Sequence, residues 1–515
     1  MTKYIRIIFA SLLLTVHGAF AADVQTNLVN GDFENGLKGW NVKGNVTLET
    51  VTPIDGKASL RIGPGAGSVS QRVGIGNGNH LWVSVAVKSE PMNTAVLTVR
   101  FLDKNGRELM RLNSDTDIKS GDKVKPGTLS FYMKEHPLTA DVEVVISKDH
   151  AGGYVLADQI EFVASHDNAP ELKPACDLAQ YMQPFWRGKT IYNEAVLMFS
   201  EKGQPAIGRL MFSPSRIISV KNYGLTTNYS MGTDYTLDGR NLICTPSSRM
   251  TRLKDADLIK GEFNWNELIG RQVVVTYEHD DAWRGPAQGF VGDALPTTMK
   301  KLRADAPLRV VAYGDSITHG IGTSRLMGIS PYMPPYPELF VHQLKQIYRD
   351  DQIRLFNSAQ SGATSDWGAR MAGRMVASLN PDLVTIAFGQ NDFWGTPADT
   401  FANNISNILQ TVRAKNPQAE FLLVSTLRFD PAYTTNAVYW QSVGDYDGKL
   451  KSMAGSGVQL VDMTAISEAI YAAKKPKDCL NDPLHPNDFL ARWYAQSLVA
   501  ALAPAADPPV ADGDK

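Results

Sequence analysis

Four short segments in the last 200 or so residues carry side chains that could act together. Ser316 lies in Gly314-Asp315-Ser316-Ile317-Thr318-His319-Gly320, Gly362 in Ser358-Ala359-Gln360-Ser361-Gly362-Ala363-Thr364, and Asn391 in Gly389-Gln390-Asn391-Asp392. Asp482 and His485 close the set in Asp482-Pro483-Leu484-His485. A serine hydroxyl is a weak nucleophile until a base takes its proton. His485 can be that base if a carboxylate fixes its tautomer, and Asp482 stands three residues before it, a spacing that closes a turn. A carbonyl under attack gains negative charge, and donors must already be aimed at it. The backbone N–H groups of Ser316 and Gly362 and the side-chain amide of Asn391 can supply them. Nucleophile, acid–base pair and oxyanion donors are together what cleavage of an acyl ester requires.

The elements that must hold these residues are legible in the surrounding pattern. Apolar runs Arg309–Tyr313, Ile353–Phe356, Leu383–Phe388, Phe421–Ser425 and Val458–Val461 alternate with segments of helical spacing, such as Phe401, Ile405, Ile408 and Val412. Five βα units predict a parallel sheet covered by helices on both faces. Ligand sites in such sheets form beyond the carboxyl ends of the strands. Ser316, Gly362 and Asn391 follow the first, second and third runs. His485 precedes the last helix, and Asp488 reads as the cap of that helix. His319 falls one turn along from Ser316 and reads as a pocket-wall or structural residue. Trp367, Phe393 and Trp394 directly follow two of the blocks and are the candidates for a sugar-stacking wall.

The domain from 308 to 503 resembles the SGNH hydrolases of the GDSL esterase superfamily, whose four motif blocks are matched by Ser316, Gly362, Asn391 and the Asp482/His485 pair. The resemblance implies a three-layer α/β/α, flavodoxin-like fold, no catalytic metal or cofactor, and a double-displacement mechanism. It leaves the substrate open, because carbohydrate acetylesterases, lipases, lysophospholipases and thioesterases share the blocks.

Ahead of this domain the chain is β-rich. The 515 residues are too many for one ordinary core, so two or three domains are expected. Residues 26–165 read as short β-branched runs broken by Gly, Asn, Asp and Pro, which suggests a sandwich. Asn30-Gly31-Asp32-Phe33-Glu34-Asn35-Gly36 with Trp40, Gly56-Lys57-Ala58-Ser59-Leu60, and Tyr154–Phe162 resemble the jelly-roll carbohydrate-binding modules of secreted polysaccharide-degrading enzymes. In such modules the N-terminal segment and a late Asp hold a structural calcium; Glu34 and Asp158 fall at those places. Residues 166–184 carry three prolines and read as a linker, and residues 185–297 as a β-rich accessory domain without a catalytic signature. Trp186, Trp265 and Trp283 in that region could line a sugar site or pack a core.

Residues 1–22 read as a secretory signal, with Lys3 and Arg6 ahead of the apolar Ile7–Val16 and a small-x-small site at Ala19-Phe20-Ala21. No later run is long and apolar enough to span a bilayer, so the expectation is an exported protein without an integral membrane segment, periplasmic or extracellular. A net charge of −2 gives no basic surplus for nucleic acid. Three cysteines cannot form a disulfide framework, although Cys176 and Cys244 could pair. Residues 504–515, rich in Pro, Ala and Asp, read as a disordered tail. The resulting expectation is a serine esterase acting on short acyl groups of a polysaccharide. A lipase or lysophospholipase, and a noncatalytic polysaccharide-binding protein, are the alternatives. The loop Thr323–Pro337, rich in Met and Pro, is the one place for a lid.

Overall fold

In a computed structural model, the described residues are 24–25, 28–75, 80–89, 95–102, 104–106, 108–116, 125–132, 140–148, 152–165, 174–254, 267–327, 329–430 and 437–504. The expected secretory segment, Trp265 and the tail from residue 505 lie outside them. The chain divides into two compact units, residues 1–171 and 172–515. Among the described residues, no helix is long and apolar enough to cross a membrane.

The first unit is an antiparallel β-sandwich. Its organiser is the long strand Ser59–Gly74. The first part, Leu60–Ile62, pairs with Val155–Ala157, while Gly67–Gly74 pairs with Asp141–Lys148. One strand thus feeds both layers. The strand Asp141–Lys148 alternates half-buried and buried residues along its whole length, the period-two pattern of a sheet with one face on a core. Leu60, Val69, Val99, Val144 and Phe162 fill that core with Phe33 from the Asn30–Gly36 turn and Trp40 shortly after it. Asn30 sets this turn: its Nδ2 donates to the carbonyls of Gly36 and Lys38, and its carbonyl accepts from Trp40 Nε1. Glu34 and Asp158, at the calcium positions, serve as turn acceptors. Glu34 Oε1 takes the N–H groups of Lys57 and Ala58; Asp158 Oδ2 takes Asp55 N–H and Ser59 Oγ–H. Among the described residues, no group of three or more His, Cys, Asp or Glu converges to hold a metal ion.

The second unit contains the five predicted parallel strands: β1 (Leu308–Gly314), β2 (Ile353–Asn357), β3 (Leu383–Ala387), β4 (Glu420–Val424) and β5 (Val458–Val461). Their order is β2-β1-β3-β4-β5, with β1 between β2 and β3. Seven helices connect and cover them: α1 (Ser316–His319), α2 (Tyr336–Tyr348), α3 (Ser365–Met375), α4 (Ala398–Lys415), α5 (Ala437–Met453), α6 (Met463–Ala473) and α7 (Asp488–Leu502). The strands are buried on both faces and therefore read as continuous apolar runs.

The β-rich segment before β1 does not keep a core to itself. The strands Thr190–Val196, Pro214–Asn222, Asn228–Tyr229 and Val273–His279 form one antiparallel sheet, and five shorter strands form a second. Ile191, Met211, Val275 and Tyr277 from this segment join Phe489, Trp493 and Leu498 of α7 in a single apolar cluster. The Phe185 ring lies tilted 4.7 Å from that of Phe489, and Trp186 and Trp283 each lie 5.2 Å from Trp493. Trp186 and Trp283 are both half-buried and pack against this core. Every residue of α7 is buried, as expected of a helix covered on both sides. The stretch expected as a linker forms a capped turn, with Asp177 capping Leu178–Tyr181, and is anchored by the buried Met182. All three cysteines are free, so the Cys176–Cys244 pairing is not made. Cys479 is buried, and burial pushes its thiol up, which makes it inert as a nucleophile.

Candidate active site

Strand β1 ends at Gly314, and the chain turns at once into α1. Asp315 caps that turn, its Oδ1 accepting from Ile317 N–H at 3.0 Å. Ser316 is the first residue of α1. This helix has only four residues, so its dipole contributes little; what remains is the local N–H of a first turn, which has no intrahelical acceptor. Burial pushes the Asp315 carboxyl up to about 7.

Ser316 meets His485 across the sheet end, with Oγ 2.8 Å from Nε2. The other ring nitrogen, Nδ1, faces both oxygens of Asp482 at 3.0 and 3.1 Å. A carboxylate only accepts, so in the neutral ring Nδ1 carries the proton and Nε2 presents its lone pair to Ser316. Asp482 also builds the turn that carries the histidine, since its Oδ1 accepts the N–H groups of Leu484 at 2.8 Å and His485 at 3.1 Å. Ser316 is 7% exposed and His485 5%, which keeps the pair largely dry while leaving an edge to solvent. Close approach of the two loops depends on Gly322. Its φ is +95°, and a Cβ there would stand 2.5 Å from the Pro486 carbonyl oxygen and 3.0 Å from His485 Cβ.

Gly362 and Asn391 follow β2 and β3 and therefore flank the end of β1. Gly362 is exposed, with φ +77° and open space where a Cβ would point. Asn391 Nδ2 donates to Ala363 O at 3.0 Å, which ties its amide to the Gly362 turn and leaves its second N–H over. Asp392 locks the two turns together: it is buried, and its carboxylate accepts from Ser365 N–H at 2.9 Å and Ser365 Oγ–H at 2.5 Å. Asn404 supports Ser365 from α4 at 3.0 Å. Sequence reasoning assigned no role to Asp392, Ser365 or Asn404; a charged residue directly after Asn391 was the available signal. His319 is exposed and lies 3.1 Å through Nδ1 from Ser361 Oγ, linking α1 to the Gly362 turn.

The remaining expectations divide. Trp367 is half-buried, its ring 6.0 Å from that of Tyr313. Phe393 is not a sugar platform: it is buried edge-on against Phe429, with ring centroids 4.9 Å apart. The residue after Asp392 in this tight turn points into the core. The side chain of Trp394 lies outside the description. Asp488 is not the cap of α7. Asn487 is, accepting from the N–H groups of Phe489 and Leu490, and Asp488 instead takes the N–H of Ser324 at 2.8 Å. That bond helps to fix the loop suggested as a lid. Ser330 Oγ–H donates to Gly224 O at 2.8 Å and Ser324 Oγ accepts from Met333 N–H at 2.8 Å, so the loop is fastened at several points.

Residues 312–492 match the GDSL-like Lipase/Acylhydrolase family. The C-terminal domain is a GDSL-like hydrolase domain. The chain is 27% identical over 185 residues to a phospholipase B1, membrane-associated, of Rattus norvegicus, in a match covering 27% of this chain. The chain spans 13% of the length of that protein. Among solved structures, the hydrolase domain is similar to an acetyl xylan esterase, with a TM-score of 0.30 and 21% identity over 37% of this chain and 97% of that one. A family 16 carbohydrate-binding module is matched with a TM-score of 0.23 and 20% identity over 26% of this chain and 98% of the module. The GDSL-like domain and a β-sandwich thus stand in one chain.

Proposed function

We propose that the protein is an exported serine esterase that removes acetyl or other short acyl groups from a polysaccharide. The observation that carries the reaction is the continuous chain from Ser316 Oγ through the His485 ring to Asp482, at 2.8 and 3.0 Å. His485 Nε2 takes the Ser316 proton as Oγ attacks the ester carbonyl. The N–H groups of Ser316, Gly362 and the Asn391 side chain stabilise the oxyanion. Losing one such donor typically costs about 2.7–4 kcal/mol of barrier. His485 then protonates the departing sugar oxygen and the C–O bond breaks, leaving an acyl group on Ser316. Water gives a proton to the same nitrogen, attacks the acyl carbon, and the collapse returns that proton to Ser316 with release of the carboxylic acid, which ionises in solvent. Asp482 orients the ring and stabilises its charged form.

Short-chain specificity on a glycan is favoured by the module at the N-terminus, by the secretory pattern of residues 1–22, and by the hydrogen bonds that fasten the Thr323–Pro337 loop at Ser324 and Ser330. Turnover of an aryl acetate by Ser316→Ala is the first test. The expected result is a loss of roughly 10^5–10^6-fold; wild-type rates would defeat the reading. A series of nitrophenyl esters separates the substrate classes, with activity peaking at acetate expected and a peak at octanoate or beyond supporting a lipid esterase instead. Acetate release from a panel of native acetylated glycans then identifies the polymer.

A further inference from the structure

The loop that carries Asp482 and His485 runs from the turn Pro476–Asp478 to the cap of α7 at Asn487. It belongs to none of the five strands, so the sheet does not set its position. The residue that grips both of its ends is Gln272, which lies outside the hydrolase domain, between the short helix Glu267–Arg271 and the strand Val273–His279. Gln272 is 1% exposed. Its Nε2 donates to Lys477 O at 2.8 Å and to Leu480 O at 2.9 Å, at the entry to the loop. Its Oε1 accepts from Asn487 Nδ2 at 2.9 Å, at the exit. The second hydrogen of Asn487 Nδ2 goes to Asp478 O at 2.9 Å. All four amide hydrogens of this pair are therefore used, each holding part of one loop. The same β-rich segment adds Ile269 N–H to Asn481 Oδ1 at 3.2 Å and Leu197 N–H to Asp478 Oδ1 at 2.7 Å.

We propose that Gln272 is a positioning residue of the esterase: it fixes the ends of the 477–487 loop so that His485 Nε2 stays in line with Ser316 Oγ. A fully satisfied amide network in a dry site is rigid, and rigidity at the two ends is what holds a histidine to within hydrogen-bond distance of a serine on another loop. Misplacement by about 1 Å costs such a site on the order of 100-fold in rate. The proposal rests on the reaction assigned to Ser316 and His485 above.

The test uses the full chain and compares Gln272→Met, which keeps length and volume but makes none of the three bonds, with Gln272→Glu. The control is Arg249→Gln, which opens the Arg249–Asp234 ion pair of the same β-rich segment, where Asp234 is fully buried. For Gln272→Met, kcat on an aryl acetate falls about 10- to 100-fold with KM nearly unchanged. The acid limb of its kcat/KM profile shifts, because the Asp482–His485 geometry has changed, and fluorophosphonate labelling of Ser316 slows in parallel. Gln272→Glu recovers toward wild type as the pH falls, since a protonated carboxyl regains one donor toward the Lys477 or Leu480 carbonyl. Arg249→Gln lowers the melting temperature with kcat and pH profile unchanged. Wild-type kcat and profile for Gln272→Met would overturn the proposal, as would a loss no larger than its unfolded fraction. Should that variant fail to fold, a pH-independent ratio of Gln272→Glu to wild type would count against it equally. If Ser316→Ala is inactive while both Gln272 variants behave as wild type, only the positioning role falls; an active Ser316→Ala removes the reaction itself.

Discussion

Replacing Asp482 by Asn changes one atom and sets two demands against each other. The carboxylate now accepts from three donors: the N–H groups of Leu484 and His485 at 2.8 and 3.1 Å, and His485 Nδ1 at 3.0 and 3.1 Å. An amide has one accepting oxygen and one donating nitrogen. If the oxygen keeps the two backbone N–H groups, the NH2 faces Nδ1 and forces that nitrogen to accept. The ring proton then moves to Nε2, 2.8 Å from Ser316 Oγ, where a lone pair is needed. The opposite flip sets the NH2 against two backbone donors and loses two bonds to save one, so the first arrangement wins. The turn survives and the base is lost. The same change in other Ser–His–Asp triads costs about 10^4 in kcat, which corresponds to about 5.5 kcal/mol of barrier. Steady-state hydrolysis of p-nitrophenyl acetate by Asp482→Asn is therefore expected to drop by about 10^3–10^4, with KM and melting temperature close to wild type. A variant within tenfold of wild type would refute the tautomer argument.

Gly322→Ala should cost at least about tenfold in kcat on the same substrate. The added methyl would stand 2.5 Å from Pro486 O on a residue with φ +95°, so the loop carrying His485 must shift; unchanged kcat would mean that the approach is not required. Asp315→Asn keeps a capping side chain and removes a buried acid. Burial raises the Asp315 carboxyl from 3.8 to about 7, so the folded chain holds a proton that the unfolded chain has released, and this contribution to stability is lost as pH rises from about 4 to about 7. Urea unfolding should therefore show Asp315→Asn gaining on wild type between pH 5 and pH 8, by up to roughly 3 kcal/mol, and a gap that does not change with pH would contradict it.

How much of this was open to a sequence reader follows from the range of each interaction. Buried parallel strands are continuous apolar runs, and the run Val458–Val461 is β5 as it stands. The catalytic blocks were legible because each is local. Asp482 and His485 close one turn, and Ser316 opens another. Contacts between distant segments leave no such pattern. Gln272 is separated from Leu480 by 208 residues and sits in no motif, so nothing marked it as a partner of the loop. Phe393 shows the converse error. Its place beside Asn391 suggested substrate, yet the direction of a side chain in a one-turn 3-10 helix is set by the core beneath it, here Phe429. One distant contact did leave a trace. Over its fifteen residues α7 carries only Asp488 and Arg492 as charges, too few for a helix with a wet face. The β-rich segment supplies that cover.

That covering explains why the boundary of the hydrolase match is not a boundary of the fold. Lys474, at the end of α6, is fully buried and lies 2.6 Å from Glu194 of the β-rich segment. A buried ion pair is tolerated only when its remaining donors and acceptors are also satisfied. Here Lys474 Nζ donates to Ala195 O as well, and Glu194 takes Met211 N–H on one oxygen and Tyr277 O–H on the other. Arg492 is likewise buried, its guanidinium donating to the carbonyls of Tyr192 and Asn193. Cut at residue 308, the hydrolase domain would retain Lys474 without these acceptors and Arg492 with only the Asp488 carbonyl, and would expose Phe489 and Trp493 beside them. The penalty would fall on α6, α7 and the loop between them, which is the loop that carries Asp482 and His485. The blocks that define the family thus occupy one part of the chain, while the rigidity that lets them react comes from another.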